Sequence, residues 1–285
     1  PAGEQLAIST DTLVAGVHFA DPCDPFLLGQ RSLAVAVSDL AAMGANPLAF
    51  TLALTTPTVD ADWLQRYAQG LNAMALSCGV GLVGGDTTRG PLSLTLTVFG
   101  RVPAGQALTR SGAQPGDLLC VGGELGNAAG ALPLVLGQRN ADAAIADPLL
   151  AHYWSPQPQL ALGLALRGKA TAAMDISDGL LADCGHIAKA SAVSLLIERQ
   201  KLPLSSALLA FVGDDQARVA ALSGGDDYVL AFTLPSVELA PLLAAGWPVH
   251  VIGRVQAGQG VTLLDANGQD ITPAIRGYQH FRETP

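Results

Sequence analysis

The chain has 285 residues, 49% of them hydrophobic and 14% charged, with a formal net charge of −9. That length holds one large or two ordinary domains with real cores, and that composition excludes a disordered chain. Lysine occurs only at Lys169, Lys189 and Lys201, so a broad basic surface for nucleic acid is excluded as well. An acidic protein still binds phosphates where metal ions bridge its carboxylates to them. Cys23, Cys78, Cys120 and Cys184 are far apart with no CxxC, which reads as four reduced thiols in a cytoplasmic protein. No apolar run reaches transmembrane length and no signal peptide is visible, so no membrane partner is expected. The chain opens on Pro1 and enters a strand almost at once, as expected of the remainder of a longer protein.

Leu6-Ala7-Ile8 reads as the end of a strand, followed by the knot Ser9-Thr10-Asp11-Thr12 and, a little further on, His18-Phe19. Hard oxygen groups held by a strand end suit Mg²⁺, although Ser, Thr and Asp at a strand-to-turn junction also bond their own backbone. Asp24-Pro25 is a helix start, with Asp as N-cap and Pro at N1; the helix runs to about Met43 and stops at Gly44. Residues 33–43 are apolar nearly all round, so this helix is buried and Asp39 within it needs a partner or a metal. Leu48–Thr55 reads as a strand and Asp60–Cys78 as an amphipathic helix. Val80–Val83 is a strand that runs into Gly84-Gly85-Asp86-Thr87, where two glycines allow close approach to a ligand and Asp86 offers oxygen ligands. Leu92–Val102 alternates as a half-exposed strand.

Pro103 to Gly116 is a polar joint containing Arg110, a candidate phosphate clamp, and the domain boundary is placed there, giving domains 1–112 and 113–285. Asp117–Val121 is a strand; the glycine-rich 122–130 leads into a helix but lacks the P-loop Lys-Ser/Thr and the dinucleotide spacing. Pro158–Arg167 is a helix and Thr171–Met174 a short strand, ending at Asp175-Ile176-Ser177-Asp178-Gly179 before the apolar helix Leu180–Ala190. An N-cap role explains Ser177 or Asp178 but not Asp175 too, and a phosphate docking on that helix N-terminus with metal would use all three. Val193–Ile197 is a strand and Ser205–Val212 a helix. Ser223-Gly224-Gly225-Asp226-Asp227-Tyr228 is a second glycine-acid knot before the strand Val229–Leu234. A helix over Ser236–Ala245 and strands over Pro248–Gly253 and Val261–Leu264 follow. The C-terminus carries Tyr278, His280 and Phe281. His152, His186, His250 and His280 have no ligand spacing and read as ordinary histidines.

Asp11, Asp39, Asp86, Asp175 and Asp178 have few cations near them in sequence, so their convergence calls for several Mg²⁺ ions and a polyphosphate. No nucleophile set is visible. From the residues alone the chain is an α/β protein, Mg²⁺-dependent, acting on phosphates.

The segments Ser9–Phe19, Val37-Ser38-Asp39-Leu40-Ala41-Ala42-Met43-Gly44-Ala45, Gly84-Gly85-Asp86-Thr87, Asp175-Ile176-Ser177-Asp178-Gly179-Leu180 and Gly224-Gly225-Asp226-Asp227-Tyr228 occur in this order. Together they resemble the thiamine-monophosphate kinase family, of the superfamily of aminoimidazole ribonucleotide synthetase and selenophosphate synthetase, across essentially the whole chain. The resemblance implies a two-domain fold of mixed sheets covered by helices, with dimerisation through the N-terminal domain and a cytoplasmic homodimer. It implies transfer of the γ-phosphoryl of ATP to thiamine monophosphate, giving thiamine diphosphate. It assigns Mg²⁺ to Ser9, Thr10, Asp11, Asp39, Asp86, Asp175 and Asp178, and ATP to Gly85, Asp86, Arg110 and Ser177. It assigns thiamine monophosphate to His18, Asp226 and an aromatic, Phe281 or Tyr278; a carboxylate and aromatic rings suit a cationic thiazolium. The acceptor phosphate oxygen is already ionised at neutral pH, which agrees with the lack of a general base.

Three departures stand out. The family carries a Gly-Asp-Asp element upstream of the first strand that is absent here, so this chain alone is expected to lack part of the metal site. Asp226 stands where the family usually has Glu, with a shorter reach. Val229 replaces an acidic residue usual after the Tyr. The readings set against this one are another ATP-dependent synthetase of the superfamily and a catalytically silent nucleotide-binding module.

Overall fold

The computed structural model describes residues 2–274, 277 and 278. Phe281 and His280 lie outside the described residues. The chain forms two compact units: one reaches to Ala107 and takes in Trp154–Leu164, the other holds Leu108–Tyr153 and the chain from Ala165 onward.

The first unit is built on strands β1 (Glu4–Val14), β2 (Asn46–Thr56), β3 (Gly81–Arg89) and β4 (Ser93–Pro103), ordered β1-β4-β2-β3. Helices α1 (Pro25–Ala42) and α2 (Ala61–Cys78) accompany them. The alternation in β4 sets the two faces: Leu94, Leu96 and Val98 are fully buried, while Thr95 and Thr97 between them are only partly so. In β1, Ala7 and Leu13 turn to the buried face and Leu6 and Ile8 to the open one. Asp24 caps α1 as expected, its side chain accepting from the Phe26 amide, and Asp60 caps α2 in the same way. Gly79 ends α2 in the left-handed conformation, φ +67°. β1 is longer than the sequence reading made it: it continues through Ser9–Thr12, so that knot lies inside a strand and not at its end. Gly84-Gly85-Asp86-Thr87 likewise lies within β3.

The second unit has strands β5 (Leu118–Val121), β6 (Ala172–Asp175), β7 (Ser194–Glu198), β8 (Leu230–Leu234), β9 (His250–Gln256) and β10 (Gly260–Leu264). They form one mixed sheet, ordered β10-β7-β9-β5-β8-β6, in which only β10 and β7 run parallel. The core between this sheet and helix α6 (Leu180–Ser191) is made by Leu180, Leu181, Cys184 and Ile187 against Leu119, Val121, Leu195 and Ile252. Burial of some twenty such side chains, at roughly 1.5–3 kcal/mol each, is what holds the loops at the strand ends still. Helices α3 (Asn127–Val135), α7 (Ser206–Val212), α8 (Asp214–Ser223) and α9 (Leu239–Ala244) complete the unit. Two further helices, α4 (Ala143–Trp154) and α5 (Leu160–Leu166), lie in the stretch where the chain passes from one unit to the other and back. α4 and α8 have no counterpart in the sequence reading: Pro148 stands inside α4, and α8 opens on Asp214-Asp215 with a weak apolar stripe.

Candidate phosphate and metal site

In the first unit, strand parity sorts the expected ligands onto two faces. Ser9 and Asp11 are two residues apart on the face of β1 that meets α1, and both are half-buried. The Ser9 hydroxyl donates to Asp39 Oδ2 from α1, so the buried-helix carboxylate has a partner on the knot itself. Thr10 points the other way, its hydroxyl in contact with Thr97 at 2.9 Å. Reading the register across the sheet, Asp86 stands opposite Ala53, Ala53 opposite Thr95, and Thr95 opposite Thr12. Thr10, Thr12 and Asp86 therefore share one face, and Ser9 and Asp11 the other. β1 and β3 are the two edges of the sheet, three strand spacings or about 14 Å apart. The structure thus brings Ser9 and Asp39 together and leaves Asp11 and Asp86 apart within this unit. Gly85 sits in the row of Asp11 with φ +147°, and a Cβ there would stand 1.9 Å from the Leu52 carbonyl oxygen, so only glycine fits.

His18 lies in the turn after β1. The Val14 amide donates to its Nδ1 at 3.0 Å, which leaves the ring proton on Nε2. The fully buried Arg31 donates to the His18 carbonyl at 3.4 Å.

In the second unit three segments converge on the end of β6. The Asp226 amide donates to the Ser177 carbonyl at 2.8 Å, the Tyr228 amide to the Ile176 carbonyl at 2.8 Å, and the Tyr278 amide to the Asp178 carbonyl at 2.9 Å. Asp175, Ser177, Asp178, Asp226 and Tyr278 are thereby brought together. The 224–228 knot holds two non-glycine residues in the left-handed region, Asp226 at φ +61° and Tyr228 at +52°, a strained arrangement that persists only where neighbours impose it. Besides those backbone bonds, the Tyr228 hydroxyl donates to Asp226 Oδ1 at 2.9 Å. Gly225 passes so close that a Cβ would meet the Ser177 carbonyl oxygen at 2.4 Å. Asp227 is buried and accepts the Gly126 amide on both oxygens, 2.8 and 3.0 Å, tying the glycine-rich turn before α3 to the knot. Arg110 is exposed; its carbonyl accepts from Ser191 Oγ at 3.2 Å, which holds the joint to the end of α6.

The expected N-cap on α6 is not made by Ser177 or Asp178. Gly179 occupies that position, without a side-chain cap bond. Instead Asp183, in the first turn, turns back and receives the amides of Ser177, Asp178 and Gly179 on its own Oδ2, at 3.0, 3.0 and 3.1 Å. This carboxylate takes the amides that lead into the helix, beside the N-terminus read as a phosphate seat. Burial first, then the charges of Asp178 and Asp175, push the Asp183 carboxyl up to about 7, against the pull of the backbone amides. Asp227 is likewise raised well above the usual carboxylate range, by burial first and then by Asp226 and Asp183, with the Gly126 amide opposing. Asp183 was invisible as a functional residue in the sequence. Its signal was an acid four residues after a glycine that starts an apolar helix, the place where a carboxylate meets free amides. Asp183 and Asp227 are buried and spend their oxygens on backbone amides, which leaves Asp175, Asp178 and Asp226 as the hard oxygen donors of this corner. Among the described residues no group of three or more acidic, histidine or cysteine side chains is arranged to hold a metal ion by itself; carboxylate oxygens of this kind suit Mg²⁺ where phosphate and water oxygens complete its shell.

Comparison with known proteins gives the chain relatives. The domain models described as AIR synthase related protein match it at residues 1–102, N-terminal domain, and 114–266, C-terminal domain. Thiamine-monophosphate kinase of Escherichia coli K12 is 46% identical over 286 residues, covering 99% of this chain and 88% of the relative. The crystal structure of thiamine-monophosphate kinase from Stenotrophomonas maltophilia superposes with a TM-score of 0.88 at 44% identity, over 94% of this chain and 87% of that one. AaThiL complexed with AMPPCP and TMP superposes with a TM-score of 0.90 at 29% identity, over 99% of this chain and 89% of that one.

Proposed function

Because the chain belongs to the thiamine-monophosphate kinase family and is a phosphotransferase of that kind, we propose that it moves the γ-phosphoryl of ATP directly and in line onto the phosphate of thiamine monophosphate, the last step of thiamine diphosphate biosynthesis. The observation that carries this reading is the meeting of 175–179 with 224–228 and Tyr278. It brings the expected nucleotide residue Ser177 and metal residues Asp175 and Asp178 beside the expected substrate residues Asp226 and Tyr278. A relative bound to both AMPPCP and TMP has the same fold.

An oxygen of the acceptor phosphate attacks the γ-phosphorus, the bond from the γ-phosphorus to the β,γ-bridging oxygen breaks, and ADP leaves with that electron pair. No residue need remove a proton, because the attacking oxygen is already ionised. The obstacle is repulsion between two anions, and Mg²⁺, when bound, supplies the positive charge that screens it. Ser9, Asp11 and Asp39 on one face, Thr10 and Asp86 on the other, and Asp175 with Asp178 in the second unit would hold several such ions. Gly85, Asp86, Arg110 and Ser177 take ATP. His18, with its proton on Nε2, donates to the substrate; Asp226 and Tyr278 or Phe281 receive the thiazolium.

The domain division at 112/113 belongs to the same proposal, with the N-terminal half dimerising and carrying the metal–phosphate site and the C-terminal half completing the ATP and substrate site. So does a cytoplasmic homodimer. Four free cysteines agree with a reducing compartment, and no helix among the described residues is long and apolar enough to cross a membrane. Exposed Leu6 and Ile8 on β1 and Leu82 and Val83 on β3 supply apolar surface for a second copy.

The test is product formation by the full-length protein with ATP, Mg²⁺ and thiamine monophosphate, beside Asp86→Asn. Thiamine diphosphate from the wild type and a loss of about 10³-fold or more in the variant are expected. ATP made chiral at the γ-phosphorus should give inverted product; retention would mean a phosphoenzyme. Absence of product, with Mg²⁺-dependent ATP binding intact, would overturn the substrate assignment.

A further inference from the structure

We propose that Asp183 is a positioning residue. Its carboxylate occupies the amide cradle at the start of α6, freezes the 176–179 backbone, and leaves only the Ser177 and Asp178 side chains to meet the cation and nucleotide. This rests on the reading of 175–178 as part of the metal and ATP site.

The argument is a full accounting of one loop's backbone. The Ile176 amide donates to the Val229 carbonyl and the Ile176 carbonyl accepts from Tyr228. The amides of Ser177, Asp178 and Gly179 all donate to Asp183 Oδ2. The Ser177 carbonyl accepts from Asp226, the Asp178 carbonyl from Tyr278, and the Gly179 carbonyl from the Asp183 amide at 3.0 Å. Every N–H and C=O from 176 to 179 is consumed within the protein. Asp183 is only 1% exposed, so it has no open side from which to ligate a metal itself. Its carboxyl group sits where the three amides leading into the helix would otherwise hold a phosphate oxygen, and it keeps one out. The nucleotide therefore reaches this loop through side chains and a bound cation rather than through the amides of 176–179. Weakening or removing the Asp183 acceptor loosens these three amides and, with them, the two side chains that remain.

Two variants test this in the full-length protein: Asp183→Asn, which keeps the shape and one acceptor oxygen, and Asp183→Ala, which empties the cradle. Ile187→Val, a fully buried neighbour on the same helix, controls for lost stability alone. Calorimetric titration with ATP in the presence of Mg²⁺ needs no turnover, so it separates failure of this proposal from failure of the kinase reading. Asp183→Asn should weaken Mg²⁺-dependent ATP binding by about tenfold or more, while Ile187→Val leaves it unchanged. With EDTA present, inorganic phosphate should raise the Tm of Asp183→Ala and not that of the wild type. Unchanged ATP binding in Asp183→Asn, or wild-type stabilisation by phosphate equal to that of the alanine variant, would overturn the proposal. Failure of both variants to fold would assign Asp183 to folding alone and overturn it too.

Discussion

His152 shows how a single side chain reports its surroundings. Burial holds its imidazole below the ordinary value of 6.5, and the nearby Glu124 only partly offsets that. It lines a cavity of about 440 Å³ with Glu124, Asn127 and Ser205. A histidine depressed in the folded state contributes stability above its unfolded value and loses it as the pH falls through the folded one. Below pH 6.5 the unfolded chain takes up a proton that the folded chain refuses. On acidification from pH 7 to 5 His152 therefore pulls the Tm down, against the raised Asp183 and Asp227 carboxyls, which push it up, and His152→Gln should remove only the downward part, so that its Tm gains on the wild type as the pH falls. Thermal melts at half-unit steps check it; parallel curves for the two proteins would show that the site does not titrate as argued.

At the scale of elements, α1 and α2 approach so closely that two glycines mark the crossing. A Cβ on Gly70 would stand 1.8 Å from the Phe26 carbonyl oxygen, and one on Gly29 would stand 2.3 Å from the Tyr67 carbonyl oxygen. Both obstacles are backbone, which cannot swing aside, so Gly70→Ala must push the helices apart at about 3 kcal/mol. The Tm should drop by roughly 5–10 °C, and kinase activity should fall further than Gly29-distant stability losses do, because α1 carries Asp39 to its contact with Ser9. A melt together with a rate measured well below the Tm distinguishes the two effects. Much of this layer was legible in advance. Asp24-Pro25 and Gly44 bracketed α1, and the alternation of 92–102 predicted β4, because capping and parity are local properties. What local pattern could not show was that β1 and β3 run on through their polar knots. Ser9–Thr12 and Gly84–Thr87 read as strand ends because hydroxyls, glycine and Asp favour turns, and ladder pairing with β4 and β2 overrides that preference. The same limit hid Asp183: its importance lies in three backbone amides four to six residues away, which appear only once the loop is folded.

For the whole molecule, the decisive fact is that the acids of one resemblance motif set are divided among places that local sequence cannot relate. Ser9, Asp11 and Asp39 gather at one edge of the first sheet and Asp86 at the other, about 14 Å across it by ordinary strand spacing. A metal–oxygen bond is about 2.0–2.1 Å for Mg²⁺, so one ion cannot join Asp11 to Asp86 within a single copy. A two-fold pair of copies removes the difficulty if each site takes Asp11 from one and Asp86 from the other, since an isologous interface repeats the arrangement twice. Mixing Asp11→Asn with Asp86→Asn and allowing subunits to exchange then has a defined outcome. Half of the pairs formed are mixed, each mixed pair holds one site with both acids intact, and about a quarter of wild-type activity returns. If each copy builds its own site, every site in every pair lacks one carboxylate and the mixture stays as inactive as its components. Measuring rate against time after mixing, with sedimentation to follow the exchange, decides between a shared site and a self-contained one.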